Sequence, residues 1–146
     1  MTSAGWPRED WQHLLPHAGA MCLLERVLAW DEHGIRAHGG DPADPAHPLR
    51  GPAGLHAVHL IEYGAQAMAL HAALQAQARG EAPRHAGLLV SLREVTLQVE
   101  WVEKGRLDVQ ATCLYADASG AQYAFSVSQA GRELAGGRAA VIHAAR

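Results

Sequence analysis

A single carboxylate, Glu62, interrupts the long apolar run HAVHLIEYGAQAMALHAALQAQAR at 56–79. His59 stands one helical turn before it and Gln66 one turn after, so a helix would carry all three on one face. A carboxylate desolvated by apolar neighbours has a raised pKa and can pass a proton near neutral pH. A carboxylate near a helix start also balances the helix dipole, which is a structural use. The residues alone leave both readings open.

Ten histidines raise the question of a metal. His56 and His59 are three apart at the start of the run, and His71 lies further along it. The chain has no HExxH or CxxC pattern, and the other histidines are scattered over loops. No metal site is expected.

The run that carries Glu62 is free of proline and rich in strong helix formers, and as a helix it spans more than about 30 Å. Gly64, Ala65, Ala67, Ala69, Ala72 and Ala73 leave little bulk, while Leu60, Ile61, Met68 and Leu70 supply larger contacts. A helix apolar on nearly every side is buried, and small side chains let a sheet curl closely around it. Before it, Pro7–Leu15 reads as a short helix stopped by Pro16. A strand at 21–31 and its hairpin partner at 34–38 follow, turned through Gly34. The stretch 39–54, with Pro42, Pro45, Pro48 and Pro52, reads as a long functional loop. After the helix come strand-like runs at 87–102, 106–116, 122–130 and 133–143. The alternation in the first of these changes phase near Arg93, which predicts a bulge or bend. Short turns between consecutive strands imply an antiparallel sheet, and the long helix is the only element able to cover its face. The expected architecture is α+β: a curved antiparallel sheet wrapped around one central helix, in one domain over 1–146.

At 146 residues the chain can bury a core of its own. A net charge of -3 argues against nucleic acid as a partner. Cys22 and Cys113 lie in apolar runs and read as small core residues in a reducing compartment. No apolar run reaches membrane-spanning length, and the N-terminus has no signal-peptide core, so a cytoplasmic protein without membrane contact is expected.

Two segments carry a family resemblance. LLPHAGAMCLLERVLAW at 14–30 is similar to the opening of β-hydroxyacyl-acyl-carrier-protein dehydratases of the FabZ type. AVHLIEYGAQAMALHAAL at 57–74 is similar to their central helix, with the IExxAQ core matched by Ile61, Glu62, Ala65 and Gln66. The likeness is closer to the ApeP-like dehydratases of aryl-polyene biosynthesis, which share the LLPHxGxMxLL opening, the PLR loop (Pro48–Arg50) and a helix beginning near IEYxAQAMA. The resemblance covers essentially the whole chain and implies the hotdog fold.

It also implies a reaction. Family members dehydrate a β-hydroxyacyl thioester carried on the phosphopantetheine arm of acyl carrier protein, with no further cofactor. A base takes the α-proton and an acid protonates the departing hydroxyl. Helix N-terminal N–H groups steady the thioester oxygen. The base and acid are a loop histidine and a helix carboxylate from different subunits. Glu62 matches the carboxylate, and by the same likeness Gln66 helps hold the site. The family's GHFPxxPxxPG loop is replaced by DPADPAHPLRGPAGLHAVHLIE at 41–62. His17 of the matched LLPH is the first candidate for the base. His47 follows, within one residue of the family spacing to Glu62, and then His59; His38 is a more distant candidate. Arg50, Arg79, Arg84 and Arg93 are candidates for a surface that meets the acidic carrier, or are ordinary solvated arginines. Ala20 stands where the family usually has proline.

Three functions compete. The first is a dehydratase acting on carrier-bound thioesters in fatty-acid-like or aryl-polyene biosynthesis. The second is a hotdog thioesterase, with the carboxylate activating water. The third is a non-catalytic partner subunit that completes a related hotdog protein. The expected assembly is a homodimer or higher homo-oligomer, or a heterodimer with such a relative.

Overall fold

The long apolar run folds into a helix, and a sheet curls around it. The computed structural model describes residues 5–16, 19–81 and 88–142, with the backbone alone for 88–90. Helix α1 spans Leu60–Ala78 and is entered through a 3-10 turn at Ala57–His59. It stops at Gly80, which takes φ +70. There Gly80 N–H donates to Gln77 O at 3.0 Å and Glu81 N–H to Ala76 O at 2.9 Å. That left-handed cap satisfies carbonyls the last turn would leave open, and glycine adopts it without a Cβ penalty.

The strands are β1 (Trp6–Pro7), β2 (Leu24–Asp31), β3 (Gly34–Gly39), β4 (Leu55–His56), β5 (Leu88–Leu97), β6 (Trp101–Val102), β7 (Leu107–Ala116), β8 (Gly120–Gln129) and β9 (Arg132–Ile142). Seven of them form one sheet in the order β1-β2-β3-β7-β8-β9-β5. Every pairing in it is antiparallel. β4 and β6 pair separately beside the helix start. The chain therefore has the hotdog fold, with α1 held in the curl of the sheet.

Alternation along the strands decides which face is inside. Ile35 and Ala37, then Leu107, Val109 and Ala111, then Tyr123, Phe125 and Val127 are buried against α1. From the helix side Leu60, Tyr63, Ala67, Met68 and Leu70 meet them. Each large side chain so buried contributes about 1.5–3 kcal/mol. Gly64 explains the tightness of the wrap: a Cβ there would lie 2.5 Å from Phe125 Cδ2.

Three features depart from the sequence expectation. Residues 8–14 form two 3-10 turns, Arg8–Asp10 and Gln12–Leu14, in place of one short helix. Trp11 between them leaves helical geometry at φ -139, ψ -8, and it is buried with its indole N–H on Trp6 O at 3.0 Å. A segment this short has little helical stability of its own, so burying the indole wins. The run at 87–102 divides into β5 and β6. β5 crosses to the far edge of the sheet, where it pairs only with β9. The bulge expected near Arg93 is present as a register shift between Arg93 and Thr96, with Glu94 at φ +53.

The two sheet edges differ. β1 is two residues long, whereas β5 is a ten-residue edge strand. Leu92, Val95 and Leu97 along it stay 37–40% exposed. A long apolar edge with an unpaired row of backbone groups is a surface for another strand.

Candidate active site

Short-range devices build the start of α1. Leu55 and His56 pair with Val102 and Trp101, and Ala57 N–H donates to Glu100 O at 2.8 Å, so the helix entrance is fixed to the β5–β6 connection. His56 caps the 3-10 turn, its Nδ1 accepting from Val58 N–H at 3.0 Å, and its ring stands edge-on to Trp101 at 5.2 Å between centroids. His59 occupies the N-cap position of α1 without a side-chain capping bond and is half-buried. Glu62 lies in the first turn, also half-buried, where the positive end of the helix dipole favours its carboxylate.

The proline-rich loop reaches this entrance through its polar groups. Asp41 Oδ1 accepts from Ala43 N–H at 2.9 Å and Gly105 N–H at 3.0 Å, and these bonds hold its carboxyl below the usual range. Arg50 Nη1 donates to Pro42 O at 3.1 Å, closing the loop on itself. His47 faces Tyr63, with Nε2 and Oη 2.7 Å apart, and its Nδ1 accepts from Leu49 N–H at 3.2 Å. Tyr63 donates its hydroxyl proton to Gly40 O at 3.2 Å. Burial pushes the His47 pKa down; the nearby His59 and Arg50 act in the same direction and Asp44 opposes them. Burial raises the Tyr63 phenol well above its ordinary value, helped by Glu25 and Asp41, so it stays protonated.

Gln66 is fully buried, and both ends of its amide are committed. Oε1 accepts from Leu23 N–H at 2.8 Å, and Nε2 donates to Met21 O at 2.7 Å. It ties the segment before β2 to the central helix.

The helix entrance thus gathers Glu62, His59 and His47, with Gln66 one turn further along. His17 lies outside the described residues, as does Arg84. His38 points away from the helix: it alternates with the buried Ala37 and lies 3.4 Å from Asp108 Oδ1. His71 is a core residue, fully buried between Tyr123 Oη and Asp31 O, each at 2.7 Å. Arg79 pairs with Glu81 at 2.8 Å at the other end of α1, and Arg93 sits on the β5 edge opposite Arg138. Among the described residues no three His, Cys, Asp or Glu side chains group as metal ligands, and no helix is long and apolar enough to cross a membrane.

Sequence reasoning passed over Tyr63. Its signal was present: a bulky phenol among small helix residues, matched by Gly39 at the end of β3. A Cβ on Gly39 would lie 2.6 Å from Tyr63 Cε2, so the glycine leaves room for the ring.

Known proteins converge on the same description. No curated protein sequence matches the chain. Among solved structures, the dehydratase heterocomplex ApeI:P from Xenorhabdus doucetiae is similar at 26% identity and TM-score 0.84, over 92% of this chain and 91% of that one. Zebra fish thioesterase superfamily member 2 is similar at 14% identity and TM-score 0.65, over 94% and 95% of the two chains. A mutant thioesterase from Staphylococcus aureus follows at 13% identity and TM-score 0.61, over 82% and 92%. The two thioesterases speak for the fold alone. The family described as ApeP dehydratase matches residues 9–146, from the first 3-10 turn through β9 and on to the final residue, and the chain belongs to this ApeP-like dehydratase family.

Proposed function

We propose that the chain takes part in the dehydration of a β-hydroxyacyl thioester carried on acyl carrier protein, giving the trans-2-enoyl thioester, with Glu62 as the catalytic carboxylate. The observation that carries this reading is the placement of Glu62: a half-buried carboxylate in the first turn of the central helix of a family dehydratase. The α-proton passes to a base, the C–O bond at the β-carbon breaks, and the leaving hydroxyl takes a proton and departs as water. The positive end of the α1 dipole suits the thioester oxygen as its charge grows. A histidine is the natural base. His17 is our first candidate, and His59 is the half-buried imidazole nearest Glu62 in sequence.

The same features support a two-subunit site. β5 offers an apolar edge that a second hotdog sheet would extend, and the similar structure from Xenorhabdus doucetiae is described as a heterocomplex. The partner is therefore a second copy or a related hotdog protein.

The test is hydration of a trans-2-enoyl thioester by the purified protein, alone and with a candidate hotdog partner, beside Glu62→Gln. Loss of activity by about a hundredfold or more in the variant supports the assignment. Activity only with the partner places this chain as one half of a mixed site. Hydrolysis of the thioester without hydration would replace the dehydratase reading with a thioesterase.

A further inference from the structure

The hydrogen-bond chain around Tyr63 has a direction that can be worked out atom by atom. Leu49 N–H can only donate, so His47 Nδ1, 3.2 Å away, is its acceptor and carries no proton. The neutral ring then bears its proton on Nε2, which lies 2.7 Å from Tyr63 Oη. Gly40 O can only accept, so the phenol proton points there, across 3.2 Å. Each donor in the chain meets one acceptor: Leu49 N–H to His47, His47 to Tyr63, Tyr63 to Gly40. Both imidazole nitrogens are occupied. To accept a proton, His47 would have to place it on Nδ1, its only basic nitrogen, and give up the Leu49 donor.

The chain of bonds also joins the two parts of the proline-rich loop, Gly40 just past β3 and His47–Leu49, to the first turn of α1 at Tyr63. Tyr63 is fully buried and adjoins Glu62 in sequence, and its hydroxyl bonds to His47 and Gly40. Resting on the proposal that this entrance is the reacting end, we infer that Tyr63 is a positioning residue and that His47 serves as a neutral hydrogen-bond donor to it, not as the base. The pair ties the loop to the first turn of α1, which also carries Glu62.

Three variants separate the roles. Tyr63→Phe keeps the ring on Gly39 but removes the hydroxyl. His47→Gln keeps an N–H donor for Tyr63 Oη without a basic nitrogen, and His47→Ala removes both. Nitrogen-15 NMR of the imidazole rings reads the tautomer directly, whether or not the protein turns over substrate. The wild type and Tyr63→Phe are both expected to show His47 in the Nε2–H form, because the Leu49 amide still faces Nδ1 in the variant. In enoyl-thioester hydration, Tyr63→Phe and His47→Ala are expected to lower kcat about tenfold while KM stays within about twofold, as misplacement of a supporting element does. His47→Gln is expected to retain kcat within about threefold of wild type. An Nδ1–H tautomer in the wild type would overturn the inference. So would a loss in His47→Gln as deep as that in Glu62→Gln, because that depth belongs to a base. If the wild type shows no hydration with or without a partner, the proposed function falls, and the tautomer still decides the His47 assignment.

Discussion

His71 with Tyr123 and His47 with Tyr63 are chemically the same pair, each with ring nitrogen and hydroxyl 2.7 Å apart, yet they run in opposite directions. In the core, His71 Nε2–H donates to Asp31 O, so Nδ1 accepts the proton of the Tyr123 hydroxyl. At the helix entrance His47 donates and the Tyr63 hydroxyl accepts. The backbone partner decides: a carbonyl at Asp31 forces a donor on the ring, and an amide at Leu49 forces an acceptor. The surroundings differ as well. His71 is fully buried between α1, β8 and the end of β2, whereas His47 is half-buried on a loop. A buried pair of this kind specifies packing, while a pair at a loop sets where a mobile class of element comes to rest.

Removing His71 should have the largest effect on stability. His71→Ala takes the imidazole acceptor from the Tyr123 hydroxyl and the ring donor from Asp31 O and leaves a void, a loss of about 3 kcal/mol, and thermal unfolding is expected about 10 °C lower. His47→Ala, on its half-exposed loop, is expected to cost less than half of that by the same measurement. Equal losses would mean that the loop pair is as much a part of the core as the inner one.

Stability against pH sharpens the contrast. Burial holds the pKa of His71, His47 and His38 below the ordinary histidine value of 6.5. A depressed folded-state value means that the fold prefers the neutral ring. The stabilisation is therefore whole above about pH 6.5 and is lost as pH falls below it toward the folded-state values. Unfolding midpoints measured from pH 7.5 to 5 are expected to fall, and His71→Ala should flatten the slope more than His47→Ala does. A midpoint that rises on acidification would contradict the neutral assignment of these rings.

A smaller effect than that of His71→Ala is expected from the two phenol deletions. Tyr123→Phe strands the proton acceptor of a fully buried histidine and should cost about 1.5 kcal/mol, against about 1 kcal/mol for Tyr63→Phe, both read from denaturant midpoints. The order reverses for activity, where Tyr63→Phe is the damaging change and Tyr123→Phe leaves kcat close to wild type. That crossing of stability and activity would separate the core pair from the entrance pair.

Much of this protein follows from local pattern. The period of small and large apolar residues at 56–79 determined a buried helix, alternation at 106–116 and 122–130 determined two core strands, and the break near Arg93 determined a bulge. The IExxAQ and LLPH motifs placed Glu62 and the family, because a carboxylate in an otherwise apolar helix stands out in any register. Tertiary structure decided the rest. Nothing near β5 in sequence says that it crosses to the far edge beside β9, since strand order depends on how the helix folds back over the sheet. β4 and β6, at two residues each, are too short to show a period and exist only because the helix entrance brings them together. Gln66 shares a face with Glu62 by spacing, but only the fold brings its amide to Met21 O and Leu23 N–H, more than forty positions away. The tautomers of His47 and His71 likewise depend on one backbone carbonyl and one amide. A histidine's sequence neighbours do not determine which of these it will meet; the fold does.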